Sequence, residues 1–542
     1  MYKNLPYVDV PLQGNVCWEG WDSIYFELAR ALHAISKIKK VVAIECYHGT
    51  LEHINFAEIK QRLTPNGSCK TSHLFKEPAY LNDLVSSRIN DEHQQPKFTG
   101  LKIDDYFDPS KLQGIQESLD AIEEGVILLY GPGAAKVCEP DLLIYADMSQ
   151  WEIQQRLRRR DISNLGLDNE NAPYQEKYAI AFFNDWQICN HLKIDLLWRC
   201  DYFLETNNWV KPKLAAGNFV RKGLKQATTE PLKLAPFFDP TLWNRQPIQD
   251  DASDKPYQYP EWCFNCAPEE DNILFRFGEM LFETPLLNLI YYQAEAFLGT
   301  AVLQKFGRYL PIRFNFIDTS ENSEPDFLLN PPHQDIEDSL GCHYFPSTAY
   351  YFLQVQADAN LEYGEKITTN SFGDQAVIAE KGNFKEHDFI QIPNGVPFRP
   401  GPHITAVQID TAPEIFSKKM AAHQLVFEAA HVVPRNIPLQ SFGYQEEVIC
   451  TDPQNAVTFI RNWFSDCIKH HTNGTVNILV LVAGQTAVVE SPSGNFEPII
   501  VHYGEPFIVP ATVGSFQIRP LRQDGKIYAT LKAVIEANPP QY

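Results

Sequence analysis

The sequence predicts a multidomain α/β plus all-β protein: an N-terminal doubly wound α/β domain, then two jelly-roll β-barrel domains. Three observations lead there. The continuous apolar runs Val41-Val42-Ala43-Ile44, Val126-Ile127-Leu128-Leu129-Tyr130 and Leu142-Leu143-Ile144-Tyr145-Ala146 are separated by helical patterns. Such runs suit strands buried on both faces, and their alternation with helices makes a mostly parallel sheet. From Leu310 to Asp410 the chain changes to short segments rich in Phe, Tyr, Ile and Val, punctuated by Pro and Gly. That is the pattern of antiparallel strands closed into a barrel. It returns from Thr475 to Pro520.

In chain order, Ile24, Phe26, Leu28, Ala29, Leu32 and Ile35 recur at helical spacing within Trp18–Ile38, which predicts an amphipathic helix. The strand Val41–Ile44 follows, then the turn Glu45-Cys46-Tyr47-His48-Gly49-Thr50 and a helix over Ile54–Leu63. After the third apolar run a helix starts at Ser149 and carries Arg156, Arg158, Arg159 and Arg160. The arginines read as a solvated helix face, with an anion site as the alternative. Ala172–Leu204 is helical and aromatic, and Tyr178, Phe182, Phe183, Trp186 and Trp198 read as core. Lys211–Lys233 is polar and basic and shows no sheet pattern. The domains are expected at 1–235, 236–435 and 436–542, with strands in the last at 476–482, 486–490, 499–501 and 506–510.

The central stretch contains Phe316-Ile317-Asp318-Thr319, Phe327 with Pro331, Gly341-Cys342-His343-Tyr344, Tyr350-Tyr351-Phe352-Leu353, His387-Asp388 and Ile392-Pro393-Asn394-Gly395. In this order and spacing they resemble the frame of the class I mannose-6-phosphate isomerases, zinc enzymes of the cupin fold. The resemblance implies two cupin domains, zinc as cofactor, and interconversion of mannose-6-phosphate and fructose-6-phosphate. It implies four metal ligands as well: Gln, His, Glu and a second His.

Those four positions fall here on Leu328, Asn330, Thr348 and Phe398, and the family's substrate-facing Arg falls on Ala430. Zinc is held by thiolate, imidazole and carboxylate; Leu, Thr and Phe supply none of these. Sliding the chain by three puts His333 in the first His position but leaves Pro331 where the Gln belongs. His343 matches a framework His that is not a ligand. His333, His343 and His403 are the candidates for a rebuilt metal site; the alternative is that each orders a loop or turn. With the family set degenerate, no cofactor is expected. The expected role is binding of a sugar phosphate in a cavity lined by Leu328, Asn330, Thr348, Phe398 and Arg399, or a scaffolding or regulatory role. The alternative is an active isomerase with a rebuilt site.

The 542 residues are enough for several cores, and 44% hydrophobic with 21% charged content is that of a globular chain. A net charge of −22 disfavours binding to nucleic acid or anionic lipid. No apolar run approaches the ~18 residues of a membrane span, and no secretory signal stands at the N-terminus. The 11 scattered cysteines fit reduced thiols in the cytoplasm. Cys263-x-x-Cys266 is the one close pair, readable as a redox motif or half a zinc site, and more simply as two thiols in a turn.

The N-terminal domain faintly resembles P-loop nucleoside kinases, uridine kinase in particular, in Ile103-Asp104-Asp105-Tyr106-Phe107, Gly125–Gly131, Pro140–Tyr145 and the Arg-rich helix. A phosphate loop needs several Gly and a Lys-Ser/Thr pair. The turn Glu45–Thr50 has one Gly, no Lys, and Tyr47 and His48 where a nucleotide would press. Asp104 and Asp105 read as turn or cap residues. Gly131-Pro132-Gly133-Ala134-Ala135 offers backbone N–H groups to an anion, or is a plain strand-to-helix turn.

Overall fold

A computed structural model describes residues 6–12, 14–89, 98–235, 265–266, 270–318, 348–356, 361–369, 375–382, 384–392, 398–401, 403–411, 431–433, 443–452, 456–523 and 525–535. It is a mixed α/β protein with several β-sheets. The chain forms two compact units: Tyr7–Gln226 with Glu269–Tyr292, and Ala227–Pro268 with Gln293–Tyr542 and Met1–Pro6.

The first unit is built on a seven-stranded sheet, in the order Cys17–Glu19, Lys213–Ala216, Tyr202–Glu205, Leu142–Asp147, Lys39–Cys46, Gly125–Gly131, Gly67–Lys70. The last five are parallel to their neighbours, and the first two pair antiparallel. All three apolar runs are central strands. Val42, Ile44, Leu128, Leu142 and Ile144 are buried in one core with Ile24, Leu28 and Leu32 of the helix Trp21–Ala34. The helix Glu52–Leu63 stands where its period placed it.

Several expectations fail here. Lys211–Lys233 contains a strand, Lys213–Ala216, and a helix, Gly217–Gln226, whose Val220 and Leu224 are buried. Trp198 is 57% exposed rather than core, its ring tilted against that of Tyr292 at 4.3 Å between centroids. Arg156 is only 1% exposed, not on a solvated face: its Nη1 donates to the Gly49 carbonyl at 2.9 Å and its Nη2 to that of Thr206 at 2.8 Å. The unit stops at Gln226, short of residue 235, and takes back the hairpin Asn272–Phe277/Met280–Pro285 from the stretch assigned to the second domain. That hairpin pairs parallel with Val8–Asp9, Val8 facing Phe275.

In the second unit a six-stranded sheet runs His431–Val433, Phe389–Ile392, Thr348–Val355, Ile404–Asp410, Arg313–Asp318, Asn265–Cys266. A three-stranded sheet holds Gln375–Gly382, Leu361–Thr369 and Phe398–Pro400. Ile317, Tyr350, Phe352, Ile390, Ile392 and Ala406 line one face of the six-stranded sheet and form a core with Leu361 and Phe384. The C-terminal part is a sandwich. A five-stranded sheet (Tyr444–Asp452, Val457–Phe464, Tyr528–Ile535, Asn477–Ala483, Pro506–Val509) faces a four-stranded one (Ile468–His471, Ser515–Pro520, Thr486–Glu490, Ile499–His502). Leu479, Leu481, Val489, Val501, Phe507 and Ile518 fill the space between. The strands expected at 476–490 and 499–510 are all present; Tyr444–Asp452 and Val457–Phe464 were not foreseen.

Candidate functional site

Two places collect buried polar groups near strand ends. In the α/β unit the parallel strands diverge on either side of Lys39–Cys46, the position where open α/β sheets bind ligands. Here the chain fills that position itself. The Glu45 carboxylate accepts from the backbone N–H groups of Gly133 and of Ala135, the latter at 3.0 Å. The turn that offered N–H groups to an anion thus already holds one, from its own neighbouring strand. Tyr47 is buried, donating to Asn190 Oδ1 at 2.9 Å and accepting from Gln150 Nε2 at 3.1 Å. Beside it Lys193, 1% exposed, is paired with Asp147 at 3.0 Å and lies 4.3 Å above the Tyr47 ring. Burial pushes the Glu45 carboxyl up to about 7 against its two backbone hydrogen bonds. Asp105 is a cap: its Oδ2 accepts from Lys102 N at 2.8 Å.

The second place lies on the six-stranded sheet. Arg313 and Thr348 both face Asp410 in register, and Asn315 and Tyr350 both face Gln408. Side chains two apart on a strand share a face. All six therefore share the face that carries Ile317, Phe352 and Ala406. The Asp410 carboxylate accepts from Thr348 Oγ1 at 2.6 Å, from Gln408 Nε2 at 2.7 Å and from Asn315 Nδ2 at 3.3 Å. Tyr350 OH donates to Gln408 Oε1 at 3.3 Å. Thr348, Arg313, Gln408 and Asp410 are all buried. The result is a strip of guanidinium, amides, hydroxyls and one carboxylate beside an apolar core, the mixture that recognises a polyhydroxylated or anionic ligand.

Of the residues singled out in the sequence, Thr348 belongs to this strip. Phe398 and Arg399 lie on the strand Phe398–Pro400 of the neighbouring sheet. His403 sits at φ 63, just before the strand Ile404–Asp410, and its carbonyl accepts from Gln356 N at 3.3 Å. It orders the entry of that strand. Leu328, Asn330, His333, His343, Ala430 and Cys263 lie outside the described residues; Cys266 ends the short strand Asn265–Cys266. Arg313, Asn315, Gln408 and Asp410 were missed. The opposite face, with Phe314, Phe316, Val407 and Ile409, is buried too, so alternation along these strands did not say which face carries chemistry.

Zinc does not fit this strip. Thr348, at the position where the resemblance requires a glutamate, has its hydroxyl proton committed to Asp410, and the strip contains one carboxylate, no imidazole and no thiolate. Among the described residues no three His, Cys, Asp or Glu side chains come together as a metal-binding group. No helix among them is long and apolar enough to cross a membrane.

No curated protein matches the chain. Residues 20–229, less than half of it, match a family profile described as a domain of unknown function (DUF8485). Among solved structures, the chain is similar to the mannose 6-phosphate isomerase of Bacillus subtilis, at 13% identity and a TM-score of 0.38 over 56% of this chain and 99% of that one. It is also similar to a mutant phosphomannose isomerase of Salmonella typhimurium, at 12% identity and a TM-score of 0.39 over 56% of this chain and 98% of that one.

Proposed function

We propose that the second unit is a mannose-6-phosphate-isomerase-like protein, with cupin-type barrels, that binds a sugar phosphate without zinc and does not isomerise it. The observation that carries this reading is the Thr348–Asp410 hydrogen bond at 2.6 Å. It engages Thr348, which the sequence resemblance sets at the family's metal-binding glutamate, inside a strip whose groups suit hydroxyl and phosphate recognition. Aldose–ketose exchange through an enediol needs a Lewis acid or a placed base, and the strip supplies neither in a free form. The substitutions at Leu328, Asn330 and Phe398 point the same way from the sequence. The α/β unit is read as a kinase-like fold that has given up nucleotide binding, supported by the Glu45, Tyr47 and Arg156 contacts that occupy its switch point.

Calorimetry with fructose-6-phosphate on chelator-treated protein tests the binding. The reading requires saturable binding that Gln408→Leu weakens by roughly tenfold or more, one neutral hydrogen-bonding side chain being worth about 1–2 kcal/mol in a desolvated site. Binding that appears only with zinc present would sink it.

A further inference from the structure

The C-terminal sandwich has a cleft of about 520 Å³ whose lining includes Lys469, His470, His471, Lys532 and Glu446. Four of these five side chains are basic or imidazole, in a chain of net charge −22. Lys532 comes from the five-stranded sheet, in register with Ile460 and Leu479, so it projects from the face that carries the sandwich core. His470 comes from the opposing sheet, in register with Phe516 and stacked on its ring at 5.1 Å.

We propose that this cleft is a binding site for a small phosphorylated molecule, its phosphate held by Lys532 and His470 and its organic part against Ile460 and Val534. Lys532 is 6% exposed, and Glu446, which lines the same cleft, acts on it only at longer range, without a direct ion pair among the described residues. A buried ammonium without a counter-ion is costly, and an anion entering the cleft offsets that cost. The cost shows in the Lys532 pKa, which burial lowers and Glu446 only partly restores.

His470 gives an independent sign. It is 7% exposed, and its Nε2 is buried with no hydrogen-bond partner. One step along the Lys532 face, Asn462 and Thr530 face each other in register, and Asn462 Nδ2 and Oδ1 and Thr530 Oγ1 are likewise buried and unpartnered. Structural cores do not keep such a row of unsatisfied atoms next to an open cleft without a reason. A phosphomonoester fits better than a carboxylate. It brings close to two negative charges at neutral pH to Lys532, and three acceptor oxygens to His470 Nε2 and to Asn473 and Thr475 in the lining. The cleft is large enough for a phosphorylated sugar.

This site does not depend on the Thr348–Asp410 strip, and the test keeps the two apart. The full chain is titrated calorimetrically with inorganic phosphate and then with fructose-6-phosphate. Lys532→Met and His470→Phe, the latter keeping the stacking on Phe516, should each weaken phosphate binding by about tenfold, near 1.4 kcal/mol. Glu446→Gln should tighten it, a gain that a folding defect does not imitate. Gln408→Leu should leave it unchanged. Phosphate affinity indifferent to all three cleft substitutions, or sensitive to Gln408→Leu instead, would overturn the assignment.

Discussion

Thr348 Oγ1 donates to Asp410 Oδ1 at 2.6 Å, across two strands whose register places the residues opposite each other. Both are buried, so the bond replaces water that neither can reach. Thr348→Val keeps the shape and removes the donor. A hydrogen bond to a charged group contributes about 1.5–3 kcal/mol, and the urea midpoint should fall accordingly. Thr348→Glu should cost more, because a second carboxylate beside Asp410 repels it. Zinc should not rescue that variant; rescue would mean that the remaining ligands are in place.

Arg461 is fully buried between the two larger sheets of the second unit. It donates to the His387 carbonyl at 2.6 Å, pairs with Glu447 at 2.8 Å and lies 5.5 Å above the Trp463 ring. Removing one partner of a buried pair leaves the other uncompensated, at about 3–5 kcal/mol. Arg461→Met should therefore destabilise the unit by several kcal/mol in denaturant unfolding, and adding Glu447→Gln should recover part of the loss. Equal losses in the single and double variants would show that Glu447 does not depend on Arg461.

Two buried carboxyls in the α/β unit are held up at about 7 by desolvation, Glu45 and Glu283; Glu205 adds to the Glu283 shift. In the unfolded chain both return to the ordinary carboxylate range. Between roughly pH 4.5 and 7 the folded unit binds more protons than the unfolded one, so its stability falls as pH rises through that window. Each carboxyl contributes a slope of up to about 1.4 kcal/mol per pH unit. Glu283→Gln keeps the neutral form permanently and should flatten the dependence. The check is urea unfolding at a series of pH values, and an unchanged slope in the variant would count against it.

The Glu45 carboxylate takes the Gly133 and Ala135 N–H groups, and the following Tyr47 is buried against Asn190 and Gln150. Titration with ATP and magnesium should give no saturable heat. Micromolar binding abolished by His48→Ala or Gly49→Ala would reverse the reading of this unit.

The sequence made the long parallel strands legible because Val41–Ile44 and its counterparts are apolar on both faces, which leaves few alternatives. It hid Lys213–Ala216, a short strand whose Leu214 and Ala215 are buried between polar flanks. It hid the return of Asn272–Pro285 to the first unit too, since pairing Val8 with Phe275 is a long-range event without a local signal. The residues at the positions that the resemblance assigns to metal ligands were readable one by one, but the strip around Asp410 was not. Arg313, Asn315, Gln408 and Asp410 sit on strands buried on both faces, where a polar residue in an alternating pattern reads as outward. Lys532 was obscured inside the apolar strand Tyr528–Ile535, and His470 inside the short strand Ile468–His471, whose polar residues give no strand signal.

Zinc-supplemented turnover tests the absence of isomerase activity most directly. Protein purified without chelator is analysed for metal and then assayed for conversion of mannose-6-phosphate to fructose-6-phosphate with zinc added. The expected result is no stoichiometric zinc and no turnover, with binding of the sugar phosphate retained. Zinc at one equivalent together with turnover that dies in His333→Ala would contradict it, and would show a metal site rebuilt rather than lost.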